Sequence, residues 1–242
     1  AVEALLELGV AAPSSLDARL LQALGPLRDT GAIEALLAGL KSKEPRLRGL
    51  CAQALAGVAS RQVADALLSR AGKEKDDPTL AAVLEALGDQ KDPRARDVLL
   101  AHARGKADEP RRAAIRALAR VGLSDEQVRA FFAGLLASKD WEDRVVALDA
   151  VAGSRDASLV AKVAPSVEHE RLAVRLAAVE ALGALRHTAC IPPLIARLER
   201  EEEPRVRDAI AHALYGMTGM NLYDDLGAWQ RWWAANGKGF VV

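Results

Sequence analysis

An alanine followed by leucine or valine returns along the chain at almost constant spacing, as Ala23-Leu24, Ala54-Leu55, Ala86-Leu87, Ala117-Leu118, Ala150-Val151, Ala181-Leu182 and Ala213-Leu214. The steps between these pairs are 31, 32, 31, 33, 31 and 32 residues. A period of that length in helical sequence means stacked supersecondary units, each too small to bury its own apolar face, with the core made between neighbours. The core material agrees with this. Half of the residues are hydrophobic but 4% are aromatic, so the interior must be built from Ala, Leu and Val, which suits closely approaching helices better than a sheet.

Counting from the second residue of each pair exposes the register. Four positions earlier stand Leu20, Cys51, Val83, Ala114, Ala147, Ala178 and Ile210; three earlier stand Leu21, Ala52, Leu84, Ile115, Leu148, Val179 and Ala211. Offsets of zero, one, three and four residues form one stripe of an α-helix, and an unbroken apolar stripe must be buried. Two positions earlier the column is polar throughout: Gln22, Gln53, Glu85, Arg116, Asp149, Glu180 and His212. A second helix fits in each unit twelve and thirteen residues after the marker, at Leu36-Leu37, Leu67-Leu68, Leu99-Leu100, Ala130-Phe131, Val163-Ala164 and Leu194-Ile195. Pro45, Pro78, Pro110 and Pro204 fall near the starts of the marker helices, where a missing N–H costs little. Gly25, Gly57, Gly88, Gly122, Gly153 and Gly183 are read as helix ends. Seven antiparallel helix pairs result, at about 2–24, 31–57, 62–88, 93–121, 124–152, 156–185 and 189–216. Pro165 is expected to kink the first helix of the sixth pair. The charged run Lys73 to Asp77 reads as a solvated turn.

Seven positions before the marker, five of the seven repeats carry an arginine: Arg48, Arg111, Arg144, Arg175 and Arg207. A carboxylate precedes each by three to five residues, at Glu44, Asp108, Asp140, Glu170 and Glu203. Segments such as Glu203 to Leu214 and Val174 to Gly183 resemble the short HEAT-like repeats of the phycobilisome-lyase type, over residues 1 to about 216. The resemblance implies an all-α, armadillo-like, right-handed α-solenoid. It also implies that each arginine and its upstream carboxylate form an inter-repeat ladder. Repeats one and three depart from the pattern, with Asp17 and Leu80 in the arginine column. The motifs speak for fold rather than activity, since arrays of this kind serve as scaffolds, adaptors, lyases and hydroxylases.

Residues 217–242 leave the period. Six of the nine aromatic residues lie at or after Tyr215, and Trp229, Trp232 and Trp233 share a helical face by i, i+3, i+4 spacing. The Thr218-Gly219 turn followed by Trp-x-x-Trp-Trp resembles the C-terminal segment of many bacterial HEAT-like proteins, which implies a capping helix over the last repeat's apolar flank.

Catalytic constellations are thin. His102, His169, His187 and His212 form no His-x-x-x-His pair. Deoxyhypusine hydroxylase, an iron enzyme of similar repeats, relies on several His-Glu dipeptides, and this chain has the single His169-Glu170. HEAT-like DNA glycosylases place tryptophans and an aspartate in their groove; here Trp141 beside Asp140 reads as packing at a helix start. We therefore expect no enzyme activity, no cofactor and no metal site. Lys plus Arg and Asp plus Glu are 33 each, a formal net charge of zero, which argues against a broad nucleic-acid footprint. No run approaches the ~18 apolar residues of a membrane span. Cys51 and Cys190 are more than four repeats apart, too far for a disulfide, and read as small core residues. The chain shows no signal segment, which favours the cytoplasm, and begins without Met at Ala1.

The expected function lies on the polar column. In such solenoids the second helices line the concave side, so Gln53, Glu85, Asp149, Glu180 and His212 should form a ridge, joined by the basic stripe Arg112, Arg116 and Arg120 at i, i+4 and i+8. Ala18, Gly49, Ala81, Val145 and Leu176, four residues before ridge positions, supply a small or apolar floor. The stripe is suited to carboxylates, because arginine binds them bidentately. The expected role is a non-enzymatic scaffold or adaptor holding a protein or peptide partner in its concave groove, the partner being acidic where it meets the arginines. The alternatives are a phycobilin-lyase-like enzyme or chaperone subunit, and a nucleic-acid-binding array.

Overall fold

The computed structural model describes residues 29–242 apart from 91, 107 and 155, together with Arg19, Gln22 and Ala23. The expected first pair, 2–24, lies almost wholly outside the described residues. The chain divides into two compact units, Ala1–Val121 and Gly122–Val242. The first contains α1 (Thr30–Gly39), α2 (Pro45–Leu55), α3 (Arg61–Ala71), α4 (Asp77–Asp89), α5 (Ala95–Ala103) and α6 (Asp108–Val121). The second contains α7 (Glu126–Leu135), α8 (Trp141–Ala152), α9 (Val160–Val163), α10 (Leu172–Leu185), α11 (Ile191–Leu198), α12 (Pro204–Thr218) and α13 (Leu226–Asn236). The described residues include no strand.

Local signals set these boundaries. Aspartates occupy the N-caps of five α-helices and accept backbone N–H groups of the first turn: Asp29 from Ala32, Asp76 from Thr79, Asp125 from Gln127 and Val128, Asp140 from Glu142, and Asp225 from Ala228. Pro45 and Pro204 open α2 and α12. Pro165 acts as expected: the first helix of the sixth pair breaks into a 3-10 turn at Ala157–Leu159, the single α-turn of α9, and a second 3-10 stretch at Ala164–Glu168.

Within the first unit α2 packs on α4 and α4 on α6; within the second α8 packs on α10 and α10 on α12. The marker helices therefore stack on one another, and the apolar columns lie between them. Cys51, Val83, Ala114, Ala147, Ala178 and Ile210 are fully inaccessible, as are Leu55, Leu87, Leu118, Val151, Leu182 and Leu214. Both cysteines are free and buried, and burial pushes the Cys51 thiol up to about 12.

Two of the glycines read as helix ends do something else. Gly57 and Gly122 follow helices with φ of +74° and +94°, as terminators should. Gly88 and Gly183 instead lie inside α4 and α10, each facing the marker alanine of the next repeat. A Cβ on Gly88 would stand 2.8 Å from both Cα and Cβ of Ala117; one on Gly183 would stand 3.0 Å from Cβ of Ala213. The close helix contact is thus glycine against alanine.

Gly88→Ala should destabilise the first unit by about 1–3 kcal/mol, because overlap with backbone atoms outweighs alanine's ~1 kcal/mol advantage in helix propensity. Gly183→Ala meets a methyl group alone, so Ala213→Gly should restore the stability it loses; urea unfolding of the three variants checks both statements.

Candidate functional site

The repeating arginine faces inward, and its partners differ from those expected. The Arg48 guanidinium donates to both carboxylate oxygens of Glu74, at 2.8 and 2.7 Å, and to the carbonyls of Ser42 and Lys43 at 3.0 Å. Four repeats later the arrangement recurs: Arg175 donates to Glu201 at 2.9 and 3.3 Å and to the carbonyls of His169 and Glu170. Each glutamate is also held by an arginine four residues before it, Arg70 at 3.3 Å and Arg197 at 2.8 Å. Arg207 donates to the carbonyls of Leu198 and Glu201 and pairs with Asp224 at 2.9 Å. Arg48 and Arg175 tie repeats together, and Arg207 ties the last repeat to the tail, each through a carboxylate downstream in the chain and carbonyls just upstream. The upstream carboxylates Glu44, Asp140 and Glu203 serve as N-cap positions instead.

Glu74 also corrects the reading of Lys73 to Asp77 as a solvated turn, since its side chain is 1% exposed. The Arg48 hydrogen bonds hold its carboxyl down at about 2. At Glu201 burial pushes upward but is outweighed by the Glu203 N–H, Arg175 and Arg197, leaving the carboxyl below its usual range.

The polar column faces outward. Gln53, Arg116, Asp149, Glu180 and His212 are exposed and Glu85 is half-buried, while the marker-helix residues flanking them in sequence are mostly buried. In the first unit the ridge is internally paired. Arg116 donates to Glu85 at 2.7 Å. Arg120 binds the other Glu85 oxygen, the Glu85 carbonyl at 2.9 Å, and Asp89 at 2.8 Å. Arg112 is exposed one turn earlier. These cross-repeat pairs are solvent-accessible, so each contributes little to stability, on the order of 0–1 kcal/mol.

In the second unit the ridge is acidic. Although Asp149 is exposed as a residue, partial desolvation of its carboxyl, followed by the Glu180 charge, raises it above the usual aspartate range. A raised acid disfavours its own ionised form in the fold, so Asp149 costs stability when ionised and is relieved as pH falls through its folded-state value. Asp149→Asn should therefore raise the thermal midpoint at pH 7, with the gain fading towards about pH 3, where the carboxyl is protonated folded or unfolded.

Two surface cavities adjoin the ridge. One, of about 470 Å³, lies between α2 and α4 and is lined by Gln53 over a floor that includes Gly49 and Ala82. The other, of about 410 Å³, lies against α12 and is lined by His212 with Tyr215 and Tyr223. Neither tyrosine stood out in the sequence as a lining residue, because the turn that brings Tyr223 back to α12 leaves no periodic trace.

Two other histidines have local roles: Nδ1 of His169 accepts the Arg171 N–H and Nδ1 of His187 accepts that of Ala189. Trp141 opens α8, half-buried, with the Arg171 guanidinium 5.8 Å from its ring centre. Among the described residues no three His, Cys, Asp or Glu side chains converge in a metal-binding arrangement, and no helix is long and apolar enough to cross a membrane.

Comparison with known proteins places this geometry. A search of curated protein sequences returns no match. Among solved structures, YibA of Escherichia coli superposes with a TM-score of 0.63 at 16% identity, covering 90% of this chain and 92% of that one. The archaeal HEAT-like repeats protein of Thermococcus onnurineus superposes with a TM-score of 0.54 at 15% identity, covering 91% and 98%. The CpcE and CpcF complex of phycocyanin lyase from Nostoc reaches 24% identity but a TM-score of 0.43, over 79% of this chain and 66% of that one, and at that score it bears on nothing beyond general likeness. Identities this low speak for fold alone. The family model for HEAT repeats matches residues 2–88, 33–119 and 128–215. With nearly the whole periodic region matched, and marker helices stacked through buried alanine and leucine columns, the chain belongs to the HEAT-repeat family.

Proposed function

We propose that the chain is a non-enzymatic interaction scaffold that holds a protein or peptide segment against the outward faces of its marker helices. The observation that carries this reading is the polar column. In each described repeat a fully buried leucine or valine two residues on, preceded by an alanine that is buried in all but the last repeat, fixes its helix, so the ridge is held in place before any partner arrives, and a surface held in place loses little entropy on binding. The cavities beside Gln53 and His212 give that surface relief. An acidic stretch of the partner suits Arg112, Arg116 and Arg120, competing there with Glu85 and Asp89 for the guanidinium groups. Residues 217–242 close the array; the contact residues are Gln53, Glu85, Arg112, Arg116 and Arg120 in the first unit and Asp149, Glu180 and His212 in the second.

The test is a triple variant, Gln53→Ala, Asp149→Asn and Glu180→Gln, compared with the parent chain in quantitative capture from extract of the native organism. The expected result is unchanged helicity with loss of a specific partner. Retention of the same partner at the same level would remove the ridge from the function.

A further inference from the structure

We propose that the cavity against α12 receives an arginine side chain of the partner, a reading that rests on the scaffold function above and assigns the chemistry of one of its subsites. The chain contains two tyrosines, and both line this cavity. Tyr215 is 52% exposed and Tyr223 70% exposed, in a segment that buries Trp229 completely. Leaving two large rings open beside a concavity is the arrangement that aromatic hot spots adopt before a partner covers them.

Tyr223 is also held in place. Its φ of +50° puts it in the left-handed region, which a residue with a bulky side chain rarely occupies. Its carbonyl accepts the indole N–H of Trp229 at 2.8 Å, so the buried tryptophan fixes the backbone that presents the ring.

The charge of the cavity selects the occupant. Asp208 and Asp224 line it, and no lysine or arginine does. The Asp208 side chain is exposed and has no partner among the described residues. Asp224 Oδ2 accepts the Arg207 Nε–H, and the side chain remains about half-exposed. His212 donates from Nδ1 to the Asp208 carbonyl at 2.8 Å, closing one side of the cavity. Tyr215 sits in the last turn of α12, where the negative end of the helix dipole adds to the field.

An anion is disfavoured by these carboxylates, and among the described residues no three His, Cys, Asp or Glu side chains converge to hold a metal ion. A guanidinium satisfies both features. It stacks flat on tyrosine rings, attracted by the negative ring face, and donates two parallel hydrogen bonds to a carboxylate. The acidic ridge of Asp149 and Glu180 in the same unit favours a cationic stretch of partner leading to it.

Because both tyrosines lie at the cavity, labelling with 3-fluorotyrosine gives two fluorine resonances that report on it alone. The labelled chain is titrated with acetyl-Gly-Arg-Gly-amide, and with the same peptide carrying citrulline, which keeps the shape and loses the charge. Saturable movement of both resonances is expected with the arginine peptide, with about tenfold weaker binding of the citrulline peptide and a similar loss in Asp208→Asn. Asp208 is exposed, so that variant should keep the parent's helicity and thermal midpoint. Still resonances, equal binding of the citrulline peptide, or an unaffected Asp208→Asn variant would each overturn the assignment. Failure of the ridge variants to lose their partner would leave this titration unchanged, so the two readings fail separately.

Discussion

Replacing Arg48 by methionine should lower the stability of the first unit by about 3–5 kcal/mol, the cost of removing one partner from a buried ion pair. Methionine keeps the apolar stem and discards the head, so the loss isolates the guanidinium. What remains is a glutamate whose side chain is 1% exposed, with Arg70 at 3.3 Å and the N–H groups of Lys75 and Asp76 as its remaining partners. Urea unfolding at pH 7 measures the loss. The pH dependence has a definite sign. The Glu74 carboxyl is held at about 2 against an ordinary value near 4.5, so its contribution is present in full above the ordinary value and is lost as pH falls through the lowered one. The gap between parent and variant should therefore narrow in acid. Adding Glu74→Leu to Arg48→Met should recover part of the loss, because it removes the buried carboxylate and leaves only Arg70, whose side chain is 20% exposed, without its ion-pair partner. Arg175→Met should act on the second unit in the same way through Glu201.

Trp229→Ala should cost about 3–5 kcal/mol, the range for truncating a fully buried aromatic. Trp229 is inaccessible to solvent and anchors a chain of contacts. Its ring meets Trp232 edge to face at 6.0 Å, Trp232 meets Phe240 at 5.2 Å, and the Phe240 carbonyl accepts the Thr188 hydroxyl at 2.9 Å. This chain fastens α13 and the last residues against α11. If the segment closes the array, removing residues from Asn221 onward should lower the thermal midpoint of the second unit further than Trp229→Ala does. The deletion also takes away Asp224, the carboxylate of Arg207. A truncated chain as stable and soluble as the parent would show that nothing needs closing.

Most of the helix register was legible because it depends on residues three and four apart, and those offsets are visible in one sequence. The apolar columns and the exposed ridge follow from that geometry alone. What was misread depends on longer distances. Gly88 and Gly183 have the spacing of helix terminators, yet each sits against an alanine of the next repeat, a fact set by how near two helices approach. The arginines recur with upstream carboxylates that look like partners, whereas Arg48 reaches Glu74 and Arg175 reaches Glu201, each 26 residues on. A trace of this was present: both glutamates follow an arginine by four residues and lie at the same offset from a column arginine. The tyrosine cavity left no such trace, because it is made by the turn between α12 and α13, where periodicity has ended.

On the proposed function, repeat register gives each unit an inward side that holds the repeats together and an outward ridge that meets a partner. Photo-cross-linking residues placed at Gln53, Glu180 and His212 on the ridge, and at the exposed Glu34 and Lys162 of first helices, test that division in the native organism. Adducts to a common partner from the ridge positions, with background yields from Glu34 and Lys162, are the predicted outcome. Equal yields from both sets, or adducts confined to the first helices, would contradict it.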